Sequence, residues 1–313
     1  MKGNTESARL GAHTEWQAPK DLGEFFGEVR FRHERRPLKD WNQVWKGMME
    51  KRKGVAPDCA DLWDTEKHAR HYWETVQQLG HKRITKTISG LHLGPDSRVL
   101  DIGAGPGTLA IPLSAGVSQV TTVEPSPGMT QVLQENLSER RIKNIQCIQK
   151  RWEDVDPAVE LDSPYDAVIA AFSLDMPDIR EAVQKMIRVC SGSVYLYWFS
   201  GVPSWTAYYS EIWPSLHGIP YRPSPKFNVL IRALKQMGIH PQVEFIPTHF
   251  PIRFPSLDEA LEELSPEFAV RSDPQREMLV RFLDRILLPE GGSFILPHFY
   301  MAGKAWWNAA AMA

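Results

Sequence analysis

From Arg98 onward, short apolar segments alternate along the chain with segments whose apolar residues recur at helical spacing. The first kind is typical of buried strands, and the second kind is typical of helices that cover them. We predict strands at 98–102, 119–124, 144–149, 166–171 and 193–199. Helices are predicted at 107–115, 127–140 and 178–189. This alternation predicts an α/β fold, in which a parallel sheet is connected by helical crossovers.

The same alternation continues after the fifth strand, with longer stretches between the elements. A helix is predicted at about 226–237 and a strand at 242–248. An inserted helical pair follows, at Ser256–Leu264 and Pro274–Leu288, and Lys304–Trp307 is predicted to form the last strand. We therefore expect the inserted pair at about 255–290 to interrupt the end of the sheet.

The chain before Arg98 has a different pattern. Residues 1 to about 40 show no sustained period, which predicts weak order. Apolar residues at helical spacing then predict a packing helix, and they are Trp41, Val44, Trp45, Met48 and Met49. Two more helices are predicted, from Asp61 to about Gly80 and from His81 to Leu91. We divide the chain into an N-terminal arm and helical cap, 1–94, and a main domain, 95–313.

Composition and charge exclude several functional classes. The 313 residues are 42% hydrophobic and carry a formal charge of −2, which gives no general attraction to nucleic acid or to an anionic membrane. No apolar run approaches the ~18 residues of a membrane span, and no secretory signal is evident. Cys59, Cys147 and Cys190 lack metal-binding or disulfide spacing. We therefore expect a soluble, cytoplasmic protein without a bound metal.

A glycine-rich turn follows the first predicted strand. Gly103, Gly105 and Gly107 alternate with other residues, so that a ligand could approach the main chain closely. The spacing is G-x-G-x-G and differs from the dinucleotide fingerprint G-x-G-x-x-G. A helix is predicted to open at Thr108 and to present unpaired N–H groups to the ligand. The second strand ends at Glu124, whose carboxylate suits the two hydroxyls of a ribose.

At these residues the chain resembles the class I S-adenosylmethionine-dependent methyltransferases. Their first motif reads apolar-apolar-D-x-G-x-G-x-G, and their second strand ends in an acid; the resemblance covers roughly residues 95–200. It implies a doubly wound, mainly parallel seven-stranded sheet whose last strand is antiparallel and pairs as a hairpin. It also implies that S-adenosyl-L-methionine is the cofactor. The cofactor-binding residues implied around the turn are Asp101, Gly103, Ala104, Gly105, Gly107, Thr108, Glu124 and Pro125.

Two further loops correspond to parts of the family's cofactor site. After the third strand, Arg151 stands where a typical member has an acid, and a guanidinium cannot accept a hydrogen bond from the adenine amino group. Trp152 could stack on the base instead, while Glu153 or a backbone carbonyl takes the amino group. After the fourth strand, Phe172 begins a loop without the N-P-P-[YF] signature, so a base nitrogen is a poor candidate for the methyl acceptor.

The helix before the first motif resembles the one that covers the methionine end of the cofactor in many relatives. Tyr72 is therefore a candidate for a lid over the cofactor, with a core aromatic as the alternative. Another aromatic, proline-rich segment at about 200–225 is predicted to form a lid over the substrate. Its substrate-contacting candidates are Trp205, Tyr208, Tyr209 and Trp213. The alternative is that these rings cap the domain or form a dimer contact.

The sequence leaves three functional interpretations open. The first is a methyltransferase acting on a small molecule, where Asp175 and His217 are the candidate bases. The second is an RNA methyltransferase that uses the basic residues between Lys20 and Lys53; interleaved acids favour a solvated face there, so nucleic-acid binding is not expected. The third is a non-catalytic module that binds the cofactor and a protein partner.

Overall fold

The computed structural model describes residues 39–55, 65–79, 81–249 and 251–312. The predicted arm before Lys39, the start of the second predicted helix and Cys59 lie outside the described residues. The chain from Lys39 onward forms one compact unit. No helix within the described ranges is long and apolar enough to cross a membrane.

A seven-stranded sheet forms the centre of this unit. Its strands are β1 (Arg98–Ile102), β2 (Gln119–Val123), β3 (Ile145–Ile148), β4 (Tyr165–Ala171), β5 (Cys190–Ser200), β6 (Gln242–His249) and, last in the chain, β10 (Phe299–Asn308). Their spatial order is β3-β2-β1-β4-β5-β10-β6. The pairs among β1 to β5 are parallel, whereas β10 runs antiparallel to both β5 and β6. The predicted fold class and the antiparallel last strand are therefore confirmed.

The central strands are buried on both faces, as their nearly continuous apolar sequences require. In β4, Val168 and Ala170 belong to one apolar cluster, and Ala167 and Ile169 belong to the other. Helices cover both faces. They are α1 (Trp41–Arg52), α2 (Glu66–Leu79), α3 (His81–Ser89), α4 (Ala110–Ser114), α5 (Pro127–Arg140), α6 (Pro157–Glu160), α7 (Ile179–Val189), α8 (Ser204–His217) and α9 (Phe227–Gln236).

The N-terminal helix α1 is anchored to the sheet domain. Trp45 is fully buried, and its indole Nε1 donates a hydrogen bond to the carbonyl of Met176 over 2.8 Å. The Asn42 amide oxygen accepts from the backbone N–H of Arg180 at the start of α7. The predicted packing helix is confirmed, and it packs beside the loop that follows β4.

The insertion between β6 and β10 contains more than the predicted helical pair. It holds α10 (Leu257–Leu264), α11 (Asp273–Ile286) and a small antiparallel sheet of β7 (Ile252–Phe254), β8 (Leu288–Glu290) and β9 (Ser293–Leu296). These elements share an apolar cluster with α8 that includes Ile212, Leu216, Phe268 and Leu283. The helix α8 also occupies much of the segment that we predicted to form a lid, 200–225.

Candidate functional site

The turn after β1 folds back on the end of β2. The backbone N–H of Gly103 donates to the carbonyl of Val123 over 2.7 Å. Gly103 has a φ of +72°, and a Cβ added there would stand 2.1 Å from the Cβ of Ser173. Gly105 has a φ of +57°, but its added Cβ would meet only the Met129 sulfur, at 3.9 Å. The absence of a side chain at Gly103 therefore allows the loop that carries Ser173 to pack against the turn. Gly105 leaves open space above the main chain.

The helix after this turn begins later than predicted. It opens at Ala110 and spans five residues, so Thr108 belongs to the turn and not to the helix. The hydroxyl of Thr108 is buried without a hydrogen-bond partner among the described residues. Ala104 is buried and Pro125 is half-buried beside the same turn. Thr108 is therefore presented by the turn and not by a helix terminus.

Two buried carboxylates end the first two strands. Glu124 accepts hydrogen bonds from the backbone N–H of Gly105 over 2.8 Å and of Ser126 over 2.9 Å. Burial raises the pKa of Glu124. Burial, with a further contribution from the charge of Glu124, raises the pKa of Asp101 to about 7. A carboxylate has about four lone-pair positions, so Glu124 retains the capacity to accept from a ligand.

The loop after β3 differs from our expectation for the adenine contact. Trp152 is 2% exposed, and its indole Nε1 donates to the carbonyl of Ala182 over 3.1 Å. A ring enclosed by the core offers no face to a base, so the prediction that Trp152 stacks on adenine is wrong. Arg151 is half-buried and Glu153 is exposed. Their contact with a base stays a prediction.

The loop after β4 begins with an unusual backbone conformation. Phe172 has a φ of +60°, which is strained for a bulky side chain. Its N–H donates to the carbonyl of Tyr197 over 3.0 Å, and the Ser173 hydroxyl donates to the carbonyl of Ile102 over 2.5 Å. These bonds hold the loop against β1 on one side and β5 on the other. They also fix the direction of the Phe172 ring.

An aromatic cluster surrounds that ring at one edge of the sheet. The Phe172 ring centroid lies 4.9 Å from that of Phe199 and 5.4 Å from that of Tyr300. Trp205 meets Phe199 edge to face at 5.0 Å and stacks on His298 at 4.9 Å. We call these five residues the aromatic cluster. Of the predicted lid residues, Trp205 belongs to it.

The other predicted lid residues do not belong to the aromatic cluster. Trp213 is fully buried, and the hydroxyl of Tyr208 donates to the carbonyl of Pro297. The hydroxyl of Tyr209 donates to Glu267 over 2.8 Å, and its ring packs on Phe268. Trp213 leaves no surface for a substrate, so its predicted contact is corrected. Tyr208 and Tyr209 join α8 to the insertion, and their substrate contacts stay predictions.

His217 is also part of that packing. Its ring centroid lies 4.3 Å from that of Trp213, and its Nε2 bonds to the carbonyl of Phe268 over 3.0 Å. Because a carbonyl only accepts, Nε2 carries the proton in this bond. The structure thus uses His217 to join α8 to the insertion, which corrects its assignment as a catalytic base.

Asp175, the second candidate base, lies in the same loop as Phe172 and is half-buried. Burial lowers the pKa of the nearby Lys226 to about 8, against the effect of Asp175, whose charge raises it. The Lys226 ammonium lies 3.5 Å from the Thr206 hydroxyl at the start of α8. Asp175 is thus coupled to a lysine that sequence reasoning did not select.

Tyr72 and a second unpredicted cation border the aromatic cluster. Arg83, on α3, lies with its guanidinium carbon 5.6 Å from the Phe172 ring centroid. Its guanidinium also lies close enough to the hydroxyls of Tyr72 and Tyr300 for these groups to influence its pKa. Tyr72 itself packs beside Ile111 and Met129, which flank the glycine turn. No motif in the sequence marked Arg83 or Tyr300, since each comes from a different part of the chain.

The strand order, the glycine turn and the acid that ends β2 define the class I methyltransferase fold. Residues 99–192 match the family model described as a methyltransferase domain. A proposed methyltransferase from Bacillus halodurans has the same fold, with a TM-score of 0.51 and 14% identity over 72% of this chain and 98% of that one. The chain therefore contains a methyltransferase domain and has the fold of the class I S-adenosyl-L-methionine-dependent methyltransferases.

Two curated relatives match a large part of the chain. An uncharacterized protein of Haemophilus influenzae is 25% identical over 203 residues, which are 63% of this chain and 72% of that protein. An uncharacterized protein of Mycobacterium tuberculosis is 26% identical over 178 residues, which are 55% of this chain. The match spans 59% of the mycobacterial protein's length.

Proposed function

We propose that this enzyme transfers the methyl group of S-adenosyl-L-methionine to a small molecule held against the aromatic cluster. The observation that carries the proposal is the loop after β4. Its Ser173 packs against Gly103 of the glycine turn, while the adjacent Phe172 ring lies within the aromatic cluster. Two adjacent residues of one loop thus contact the two surfaces: Ser173 contacts the glycine turn, which we assign to the nucleoside, and Phe172 belongs to the aromatic cluster.

The residues around the glycine turn fit the cofactor. The open space above Gly105 admits a ligand close to the main chain, and Glu124 has acceptor capacity left for ribose hydroxyls. The buried Thr108 hydroxyl has no partner among the described residues, so a polar ligand group would satisfy it. When bound, S-adenosyl-L-methionine supplies an electrophilic methyl group on a sulfonium.

The protein's contribution to such a reaction is chiefly positioning. In-line displacement requires the acceptor atom to be held on the axis of the breaking bond, and correct placement alone supplies a large part of the acceleration. The rings of Phe172, Phe199 and Trp205 would hold the acceptor and exclude water. If the acceptor is a hydroxyl or thiol, Asp175 is our candidate for the group that removes its proton.

Calorimetry tests the proposal at its first step. We expect S-adenosyl-L-methionine and S-adenosylhomocysteine to bind and NAD not to bind. Tight NAD binding would contradict the proposed use of the glycine turn. Mass spectrometry of small molecules that copurify with the protein, followed by assays with radiolabelled methyl donor, would then identify the acceptor.

The same assays separate the alternatives left open by the sequence. Binding of nucleic acid through phosphates weakens steeply as salt rises, whereas turnover of a small neutral molecule is nearly indifferent to salt. Retained cofactor affinity with no turnover on any acceptor would instead favour a binding module.

Cys147 and Cys190 are both free thiols, which supports our proposal of a cytoplasmic location.

A further inference from the structure

Arg83 occupies an unusual position beside the aromatic cluster. Three elements converge on its guanidinium: α2 supplies Tyr72, the end of β4 supplies Phe172, and β10 supplies Tyr300. None of these three side chains is a carboxylate. The guanidinium therefore has oriented neighbours but no neighbour of opposite charge among them.

The charge of Arg83 is not balanced within the described part of the chain. None of the carboxylates there forms an ion pair with it, whereas Arg70, Arg98, Arg180 and Arg253 each pair with an acid. An arginine keeps its charge at all physiological pH values, and a charge withdrawn from water costs free energy unless it is paired. A guanidinium has five N–H donors, more than the two neighbouring hydroxyls could accept, so donors remain for a ligand.

The location of Arg83 indicates which ligand would supply the opposite charge. In the sheet, β4 lies between β1, which carries the glycine turn, and β5 with β10, which carry the aromatic cluster. Two of the three contacts of Arg83, Phe172 and Tyr300, belong to the aromatic cluster. The guanidinium therefore borders the aromatic cluster, to which we assign the acceptor.

We infer that the methyl acceptor carries an anionic oxygen group, a carboxylate or a phosphate, and that Arg83 binds this group while the aromatic cluster holds the acceptor's apolar part. This inference rests on the proposed function, because it names the acceptor class for the same site. An arginine is suited to the role, since its planar fork matches the oxygens of either group. Tyr72 and Tyr300 would keep the fork oriented before the acceptor binds.

Simple aromatic probes test the inference without knowledge of the true acceptor. The protein is saturated with S-adenosylhomocysteine, and binding of benzoate, phenyl phosphate and neutral benzyl alcohol is measured by ligand-observed NMR. We expect at least one of the anions to bind about tenfold more tightly than benzyl alcohol, which is the usual advantage of a hydrogen bond to a charged group. Which anion binds better distinguishes a carboxylate acceptor from a phosphate acceptor.

Arg83→Met and Arg83→Gln should remove that advantage, so that the anions and benzyl alcohol bind with similar affinity. Arg232→Met is the matched control, because Arg232 lies 4.3 Å over the ring of Trp41 and away from the aromatic cluster. This variant should keep the preference for the anion. Two Arg83 variants of different polarity are used so that the test can still be made if one of them does not fold. Circular dichroism verifies the folding of each variant.

A second pair of ligands separates the acceptor from the cofactor's own carboxylate. Arg83→Met should bind S-adenosylhomocysteine and 5′-methylthioadenosine, which lacks the amino-acid group, as the unchanged protein does. Selective loss of S-adenosylhomocysteine binding would assign Arg83 to the cofactor and overturn the inference. Equal binding of benzoate, phenyl phosphate and benzyl alcohol to the loaded protein would also overturn it, with the proposed function intact. Failure of S-adenosylhomocysteine to bind the unchanged protein would instead contradict the proposed function.

Discussion

Ser173 and Gly103 lie in such close contact that the glycine has no space for a side chain: an added Cβ would stand 2.1 Å from the Cβ of Ser173. We expect Gly103→Ala to lower the free energy of unfolding by about 2 to 5 kcal/mol, from the positive φ together with overpacking. Affinity for S-adenosylhomocysteine should fall as well, because the loop must move. Urea unfolding and calorimetry measure the two effects.

Gly116→Ala is the matched control for that substitution. An added Cβ at Gly116 meets only the carbonyl of Leu113, at 4.0 Å, and Gly116 lacks a positive φ. This variant should retain stability and binding. If Gly103→Ala behaved like Gly116→Ala, the contact between the two loops would not be the constraint that we describe.

Glu124→Ala should weaken binding of S-adenosyl-L-methionine by ~1–3 kcal/mol, the usual consequence of leaving hydrogen-bonding groups unpaired in a partly buried site. The same substitution also frees the N–H groups of Gly105 and Ser126. Glu124→Gln keeps one acceptor oxygen and should lose less affinity. Calorimetry compares the three proteins, and unchanged affinity in the alanine variant would remove Glu124 from the ribose site.

Asp101 makes the stability of the fold depend on pH. Its pKa is raised by burial from 3.8 to about 7 in the folded protein, so between these values the folded state holds a proton that the unfolded state has lost. Its contribution to stability is therefore largest at low pH and is lost as pH rises towards 7. Asp101→Asn, which keeps an acceptor and cannot ionise, should gain stability relative to the unchanged protein over this range.

Urea unfolding of both proteins at intervals between pH 4 and pH 8 measures this difference. The gap should widen with rising pH and level off above about pH 7. A gap that is constant with pH would mean that Asp101 keeps an ordinary pKa despite its burial.

Trp205 and Trp213 belong to one helix and should respond to substitution in different ways. Trp213 is fully buried, so Trp213→Ala should cost ~3–5 kcal/mol of stability and lower every activity in proportion. Trp205 is half-buried within the aromatic cluster, and Trp205→Ala should reduce kcat/KM for the acceptor with little change in cofactor affinity. Melting temperature, S-adenosylhomocysteine affinity and turnover are measured on both variants. Equal loss of stability in the two variants would remove Trp205 from the acceptor site.

Lys226 should report on the charge of Asp175. Burial lowers the pKa of Lys226 to about 8, and the negative charge of Asp175 limits that decrease. Asp175→Asn should therefore lower the pKa of Lys226 further, since it removes the stabilising charge. NMR of the protein with ¹³C-labelled lysine follows this titration directly, with Lys235 on the exposed side of α9 as an internal reference. An unchanged titration would mean that the two groups are not coupled.

The sequence predicted the sheet well because each central strand is an uninterrupted apolar run between turn residues. The first strand, 98–102, and the helix at 127–140 were predicted with the bounds that the structure has. In the helix, Pro127 stands in the first turn and the Ser126 hydroxyl accepts from the N–H of Met129, so local residues alone determine where the helix starts.

The acceptor side could not be predicted in the same way. The aromatic and proline-rich composition of 200–225 favoured a lid, yet tertiary packing makes 204–217 a helix. Once the segment is helical, Trp205 lies in the aromatic cluster whereas Trp213 is buried against Tyr209 and Tyr221, which a count of aromatics cannot distinguish. Arg83 and Tyr300 are far apart in the sequence. They meet only because α3 lies near the end of the sheet at which β10 begins.

The pairing of His249 with Phe299 closes the base of the insertion. The chain leaves the sheet at one member of this pair and returns at the other, so the insertion is attached like the loop of a hairpin. Changes in the length or sequence of the insertion therefore leave the register of β6 against β10 intact. The strands that carry the glycine turn are left intact as well. In evolutionary terms, the insertion is a single module that can be exchanged while the sheet, with the strand ends that carry the glycine turn, is inherited unchanged.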